Sequence, residues 1–163
     1  MPNRQFSLFQ NDDDNTTPYI LISIREDIHE KILQGQKFYE YRRKFISVSS
    51  KVFVYVSGKS QAICSYAEFG EPIFGTIKRI IEINAIDHMP NPKGIYEYFR
   101  NRSVGFAIPI KKYQLIRPIP LKELRKRFEG FSPPQSYIFL EKKPELLRYL
   151  LEIKESKATV YQK

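Results

Sequence analysis

The sequence is poor in the residues that build disulfides and zinc sites. Cys64 is the only cysteine, so no internal disulfide can form, and His29 and His88 are the only histidines. Protein zinc sites draw mainly on cysteine and histidine ligands, so we predict no metal centre and no cofactor. A single cysteine also fits a reducing cytoplasm.

Long apolar runs are missing too. No run reaches the roughly 18 residues of a membrane-spanning helix, and the N-terminus lacks the basic and apolar regions of a signal peptide. Apolar residues nevertheless make up 42% of the chain, enough for a folded core, and 163 residues suit one domain. We therefore expect a single cytoplasmic domain without a membrane partner.

Acidic residues are scarce relative to basic ones. The chain holds 27 lysines and arginines against 18 aspartates and glutamates, a net charge of +9. Such an excess usually meets a polyanion, most often a nucleic acid. We expect Lys111, Lys112 and Arg125 to contact phosphates. Arg125 lies in a short basic helix predicted over 121–128, and the solvated face of that helix is the alternative explanation.

The order of predicted elements indicates an α+β fold. Strands are predicted over 19–24, 37–44, 51–56, 61–69 and 104–115, with a last one after residue 136. Helices are predicted over 26–34, 76–87, 91–102, 121–128 and 144–153. Mixed strands with helices outside suggest a small curled sheet or barrel. We divide the chain into a flexible tail (1–18), a domain (19–155) and a frayed tail (156–163).

The densest polar stretch of the chain follows Gly35. Strand alternation places Lys37, Tyr39, Tyr41 and Arg43 on one face and Phe38, Glu40 and Arg42 on the other. Glu40 and Arg42 can therefore meet as a pair, and Lys37, at the start of the strand, can reach into a cleft at the barrel end. An edge strand with ordinary ion pairs explains the same spacing.

This motif resembles that of the ASCH domain, a member of the PUA-like superfamily. The matching residues are Gly35, Lys37, Glu40 and Arg42, joined by Pro133-Pro134-Gln135-Ser136. The resemblance implies a small β-barrel flanked by helices, and a cleft that binds RNA, or single-stranded or modified nucleic acid. It also implies a regulatory role in transcription or translation, and the N-terminal peptide described below adds replication. The residues expected to bind there are Lys37, Glu40, Arg42, Arg43, Tyr39, Tyr41 and Ser136.

Aromatic residues on the strands near this cleft have two interpretations. They are Tyr39, Tyr41, Tyr55, Tyr66 and Phe69. Proteins that hold single bases stack them on aromatic rings. Burial in the core is the alternative for each of them.

Two enzymatic alternatives and one binding alternative use the same cleft. Some small bacterial relatives hydrolyse acetylated cytidine with a lysine, a threonine and a glutamate, which correspond here to Lys37, Glu40 and Glu68. A carboxylate is a poor substitute for the threonine nucleophile, although it can activate water. Other relatives cut RNA, for which Glu40 or Glu68 can act as the base while Lys37 and Arg42 stabilise the phosphorane. The third alternative is a regulator that binds a small ligand.

Neither the cysteine nor the histidines enter these predictions. Cys64, which follows the apolar residues Ala62 and Ile63 on a strand, is expected to be a small buried hydrophobe. His29 is expected on the exposed side of the first helix and His88 in a loop.

The N-terminal peptide Gln5-Phe6-Ser7-Leu8-Phe9 lies outside the ASCH resemblance. It resembles the short peptide by which bacterial proteins dock on the replication sliding clamp, with Gln5, Leu8 and Phe9 as the contact residues. The polar residues 10–18 suit a flexible tether. Folding back onto the barrel, or pairing as an edge strand, is the alternative. RNA is the expected nucleic acid, and a functional clamp peptide shifts the expectation to DNA.

Overall fold

The structure, a computed structural model, describes the backbone of residues 16–160 and the side chains of residues 16–156. The strands are β1 (Tyr19–Arg25), β2 (Tyr39–Arg42), β3 (Ser50–Ser57), β4 (Ala62–Phe69), β5 (Ile73–Thr76), β6 (Val104–Pro120) and β7 (Tyr137–Phe139). The helices are α1 (Glu26–Leu33), α2 (Ile77–Asn84), α3 (Pro92–Tyr98), α4 (Leu121–Arg127) and α5 (Pro144–Val160), with a 3-10 turn at Leu140–Lys142. The clamp-like peptide Gln5–Phe9 lies outside the described residues.

The strands form one curled sheet in the order β2-β6-β4-β3-β1-β7, and β5 pairs with β6 off this path. β1 and β3 run parallel, whereas β1 pairs with β7, and β3 with β4, in antiparallel fashion. Register shifts interrupt the β3–β4 and β4–β6 ladders. Because such bulges increase local twist, they help the sheet to curl. The predicted α+β fold, a small barrel-like sheet flanked by helices, is confirmed.

Strand β6 joins the two halves of the sheet. Its first part pairs with β2 and β5, and its remainder pairs with β4. The sequence predicts an end before Pro118 and Pro120, but the strand continues through both. Pro118 lies where the β4–β6 register shifts, between Leu115 and Ile119. The backbone N–H of Leu121 donates to Gln61 next to β4, so the nitrogen of Pro120 faces the opposite edge. A proline at such an edge costs no ladder hydrogen bond.

Alternation along the strands divides the apolar side chains between the two faces of the sheet. The inner core, within the curl, includes Ile20, Ile22, Val52, Val54, Ala67, Phe69 and Ile108. The outer core, beneath α4 and α5, includes Leu21, Phe53, Tyr55, Tyr66, Leu124, Leu146 and Leu150. A third core, beneath α2 and α3, includes Tyr41, Ile80, Ile83, Ile95, Phe99 and Ala107. Burial in these cores accounts for Tyr55, Tyr66 and Phe69.

Helices α2 and α3 begin at clear capping residues. The side chain of Thr76 accepts from the backbone N–H of Arg79 at 3.2 Å, and the side chain of Asn91 accepts from Gly94 at 3.0 Å. Asn91 precedes Pro92, a residue suited to the first helical position. Within the described part of the chain, no helix combines the length and apolar content needed to cross a membrane.

Candidate functional site

A cleft of about 600 Å³ opens between β1 and β2, at the side of the curled sheet where these strands face each other. The segment Gln36–Arg42 forms one wall. Residues of β1 and α1, among them Ser23, form another, and the α2–α3 region completes the cleft. The structure brings four predicted residues together in its lining, Lys37, Glu40, Tyr41 and Arg42.

The side chains of Glu40 and Arg42 meet at the inner wall, as their alternation on β2 suggests. Arg42 Nε lies 3.5 Å from Glu40 Oε1, and both side chains are nearly buried, 13% and 11% exposed. Arg42 also donates to the backbone oxygen of Ser23 at 2.8 Å. Glu40 Oε2 is buried and accepts no hydrogen bond from any described residue. A buried acceptor of this kind calls for a donor that the described residues do not supply, such as a substrate hydroxyl or water.

Buried Asp87 anchors the segment that carries Lys37. Its Oδ1 accepts from the backbone N–H of Phe38 at 2.7 Å, and its Oδ2 accepts from the Tyr41 hydroxyl at 3.0 Å and from Asn84 at 3.4 Å. Burial raises the pKa of Tyr41 far above its ordinary value and the Asp87 carboxylate raises it further, so the phenol stays protonated. This network ties β2 to the end of α2.

The side chain of Lys37 lies over the ring of Tyr41, which lines the cleft. Its ammonium nitrogen lies 4.5 Å from the centroid of the Tyr41 ring, a distance suited to a cation–π interaction. The lining contains the cations Arg25, Lys31, Lys37 and Arg42, and the acids Glu40, Asp87 and Glu97. The four cations outnumber the three acids by one, so the lining carries a small net positive charge.

Glu68 does not join this cleft, contrary to the predicted Lys37/Glu40/Glu68 grouping. Its Oε1 accepts from the Tyr66 hydroxyl at 3.3 Å, and Tyr66 belongs to the outer core. Glu40, by contrast, lies opposite Ile108 of the inner core. The two carboxylates therefore lie on opposite faces of the sheet, because alternation along β4 sends Glu68 to the same side as Tyr66.

The remaining predicted residues lie outside the cleft lining. Tyr39 packs against the third core. Lys111, Lys112 and Arg125 are exposed on β6 and α4. Ser136 is exposed, and its backbone oxygen accepts from the N–H of Ser23 at 3.4 Å, which places the Pro133–Ser136 segment against a cleft wall.

Arg43 lies on the exposed rim. It donates to the backbone oxygen of Tyr98 at 2.9 and 2.6 Å, and its guanidinium carbon lies 4.7 Å from the centroid of the Tyr98 ring. Tyr98 itself lines the cleft. Arg43, a predicted binding residue, is therefore held against Tyr98, a cleft-lining residue that the sequence analysis did not predict.

His29 is buried, so the prediction of an exposed histidine is wrong. Its Nδ1 lies 2.6 Å from the Tyr113 hydroxyl. Burial lowers the pKa of His29 and raises the pKa of Tyr113, so both side chains stay neutral. The face of α1 that packs inward includes His29 and Ile32, whereas Leu33 is exposed.

Comparison with known proteins agrees with the sequence motif. No family model matches the chain. A Zymomonas mobilis protein named ASCH domain-containing ribonuclease is 23% identical over 124 residues, which are 75% of this chain and 84% of that protein. The crystal structure of ASCH from Zymomonas mobilis covers 80% of this chain and 94% of its own, with a TM-score of 0.70 and 22% identity. The chain has the ASCH fold.

Two further Zymomonas structures support the same ASCH fold. They are a tyrosine-to-phenylalanine variant and a serine-to-alanine variant of the Zymomonas protein, each with a TM-score of 0.70 and 21% identity. The resemblance seen in the motif of Lys37, Glu40 and Arg42 is thus confirmed at the level of the fold. In this ASCH fold, the motif lies at the open side of the sheet.

Proposed function

We propose that this chain binds RNA in the cleft and cleaves it by general acid–base catalysis. The observation that carries the proposal is the nearly buried carboxylate of Glu40, which lines the cleft together with Arg42 and Lys37 and whose Oε2 accepts no hydrogen bond from a described residue. The relative named a ribonuclease and the net charge of +9 support the same substrate class.

RNA brings its own nucleophile to such a site. Glu40 Oε2 accepts the proton of the ribose 2′-hydroxyl while the 2′ oxygen forms a bond to phosphorus. Lys37 and Arg42 stabilise the negative charge that develops on the phosphorane oxygens. The bond from phosphorus to the 5′ oxygen then breaks, and that oxygen takes a proton from the Lys37 ammonium. The products are a 2′,3′-cyclic phosphate and a 5′-hydroxyl, and solvent restores the two protein groups.

The same geometry gives little support to the hydrolysis of acetylated cytidine. The resemblance assigns that reaction to a lysine, a threonine and a glutamate. Here Glu40 stands at the threonine position, and Glu68 lies on the other face of the sheet. Lys37 is the only one of the three groups that is both matched and present in the cleft.

The test uses a single-stranded RNA of defined sequence, incubated with the wild type, Lys37→Ala and Glu40→Gln. Removal of a general acid or base typically lowers the rate by about 10²- to 10⁴-fold. We expect losses of this order in both variants, and a 2′,3′-cyclic phosphate on the wild-type product. Lys78→Ala is the matched control, because Lys78 is an exposed lysine that lies outside the cleft lining and is not among the predicted phosphate contacts.

A second substrate separates binding from chemistry. RNA with 2′-O-methyl groups at every position should bind in the cleft but resist cleavage, because it lacks the nucleophile. Cleavage of this analogue, or full activity of Glu40→Gln, would contradict the proposed mechanism. Binding without cleavage of ordinary RNA would favour a binding-only, regulatory ASCH domain.

A further inference from the structure

A second groove lies on the outer side of the sheet, between the end of α4 and the start of α5. Its volume is about 520 Å³, and the apolar residues that line it are Phe128, Phe131, Pro144 and Leu146. Phe131 and Leu146 belong to the outer core, so the groove opens directly onto that core. A volume of this order is typical of pockets that bind apolar groups. The proposed reaction does not use this groove.

The rim of the groove carries charges of both signs. Its charged lining residues, all of them exposed, are Arg127, Glu129, Lys143 and Glu145. Lys142, which precedes the groove, is exposed as well. An apolar base with this rim fits a peptide whose apolar side chains lie between charged ones.

The chain enters the domain close to this groove. The backbone N–H of Tyr19 donates to the Glu141 carboxylate at 2.6 Å. The backbone oxygen of Pro18 accepts from the N–H of Lys51 at 2.9 Å, which fixes the residue before the strand. Glu141 precedes Lys143 by two residues, a separation of at most about 7 Å. A segment that precedes Pro18 therefore starts beside the groove.

The sequence before Pro18 has side chains in the order that the groove requires. The stretch Gln5–Phe9 supplies three large apolar side chains, and residues 10–18 connect it to the domain over at most about 30 Å. Asp12, Asp13 and Asp14 lie within this connection. Lys142 and Lys143 likewise lie between Glu141, where the chain enters, and the apolar lining of the groove. The two orders match, with acids along the path facing lysines along the path.

We propose that residues 5–9 of the same chain, which lie outside the described residues, dock in the groove between α4 and α5. Leu8 and Phe9 pack against its apolar lining, and Asp12–Asp14 face Lys142 and Lys143. Because the segment is tethered, its effective concentration is in the millimolar range, so weak contacts are enough to fill the groove part of the time. Partial occupancy of this kind adds little to the stability of the domain.

Docking would make the N-terminal peptide unavailable to other proteins. Leu8 and Phe9 are also the residues predicted to contact a sliding clamp, so the groove and a clamp compete for the same side chains. This inference is independent of the proposed function, because the groove and the cleft share no lining residue.

The experiment uses the full chain with the substitution Phe9→Trp. The protein contains no tryptophan, so the substitution introduces a single fluorescent reporter. A docked indole should emit at shorter wavelength, and acrylamide should quench it less, than in a synthetic peptide of residues 1–18 with the same substitution. Acrylamide is neutral, so its access does not depend on the charges of the rim.

Pro144→Glu tests the groove itself. It places a carboxylate in the apolar lining, and glutamate is well tolerated in the first turn of a helix. In the Phe9→Trp background this variant should lose the shielding from acrylamide. Pro92→Glu is the matched control, because Pro92 is an exposed proline at the start of α3 and does not line the groove.

A charge exchange tests the path of the connection. Lys142→Glu/Lys143→Glu removes two surface ion pairs and should lower the ratio of docked to released peptide by up to roughly 30-fold. Adding Asp12→Lys/Asp13→Lys/Asp14→Lys to this variant should restore shielding. Lys111→Glu/Lys112→Glu is the control, since these two consecutive lysines are exposed on β6.

Three results would overturn the inference. Equal quenching of the full chain and the synthetic peptide would show that the segment does not dock. Shielding that is the same in Pro144→Glu and Pro92→Glu would show that it packs elsewhere. Shielding that appears only as the protein concentration rises would assign the groove to a second copy of the chain. Loss of shielding in the groove variant, together with its recovery on charge exchange, supports docking within one chain.

Discussion

The guanidinium of Arg42 donates to the backbone oxygen of Ser23 at 2.8 Å, so a β2 side chain reaches β1 across the open side of the sheet. Ser23 in turn donates from its hydroxyl to the backbone oxygen of Pro134 at 2.5 Å. These contacts join β2, β1 and the Pro133–Ser136 segment at one wall of the cleft. The family-like motif and the proline-rich segment, far apart in sequence, are thus linked through Ser23.

Arg42→Ala should destabilise the fold. The substitution leaves the buried Glu40 carboxylate without its cation, a situation that typically costs about 3–5 kcal/mol in the free energy of unfolding. Adding Glu40→Gln to Arg42→Ala should recover part of this loss. Urea unfolding measures both variants.

Arg79→Ala is the control for this prediction. Arg79 pairs with Glu82 at 3.4 Å, but both side chains are more than half exposed. Surface pairs of this kind contribute about 0–1 kcal/mol. Equal destabilisation by Arg79→Ala and Arg42→Ala would show that the pair of Glu40 and Arg42 has no special role.

Asp87→Asn should lower both stability and RNA cleavage. The single side-chain oxygen of an asparagine can still accept from the Phe38 N–H. Its NH2 group then faces the NH2 group of Asn84, so two donors meet and their hydrogen bond is lost. We expect a loss of about 1–3 kcal/mol in the free energy of unfolding. Because the network positions the Lys37 segment, cleavage should decrease even at temperatures where the variant is fully folded. Thermal unfolding and the RNA assay measure the two effects.

Asp27→Asn provides the comparison for Asp87. Asp27 is a half-exposed aspartate whose partner Arg25 is largely exposed, with the two charged groups 2.9 Å apart. The substitution Asp27→Asn should change the free energy of unfolding by less than about 1 kcal/mol. If Asp87→Asn behaves like Asp27→Asn in both assays, the buried network does not position Lys37.

The sequence predicted those parts of the site that depend on one strand alone. Alternation along β2 was enough to place Glu40 beside Arg42. The position of Glu68 depends on which face of β4 packs outward, and local alternation does not reveal this. Asp87 fell at the end of a helix predicted to run to residue 87, whereas α2 ends at Asn84 and the chain then turns toward β2. Its role follows from packing between distant segments.

Helix α1 illustrates the same limit. Ile28, Ile32 and Leu33 form an apolar stripe, so His29 was expected to face solvent. In the structure the buried face is rotated toward His29, because Tyr113 of β6 offers a hydroxyl partner inside the curl. A polar side chain becomes compatible with burial when its partner lies elsewhere in the chain, which the local pattern does not show.

His29 should make stability depend on pH in mildly acidic solution. Burial lowers its folded pKa below the ordinary 6.5, although the carboxylates of Glu26 and Glu30 oppose this shift. Below pH 6.5 the unfolded chain therefore binds a proton that the folded chain excludes. The free energy of unfolding should decrease as the pH falls from 6.5 through the lowered pKa, with a slope of at most about 1.4 kcal/mol per pH unit.

Urea unfolding between pH 7.5 and 5 tests this dependence. His29→Gln should remove this part of the slope, whatever its effect on stability at pH 7.5. His88→Gln is the control, since His88 is exposed. An unchanged slope in His29→Gln would show that the histidine does not titrate with unfolding.

Deletion of residues 1–12 should abolish binding to a bacterial sliding clamp and leave thermal stability unchanged. The described sheet begins at Tyr19, and the predicted docking residues Gln5, Leu8 and Phe9 are removed. Surface plasmon resonance with purified clamp measures the interaction. The double variant Leu8→Ala/Phe9→Ala in the full chain should match the deletion, because it removes the side chains predicted to fill the apolar pocket. Clamp binding that survives the deletion would refute the docking role.

The pairing of β2 with β6 has a consequence for synthesis of the protein. The register places Arg42 opposite Phe106. The strand that carries the motif therefore cannot pair until β6, which is synthesised much later, is available. β1, β3 and β4 can pair with one another before then. A ribosome-bound chain that has not yet released β6 therefore lacks the assembled cleft, and such long-range pairing is intrinsically slow. A cleft built in this way forms only after most of the chain has been synthesised.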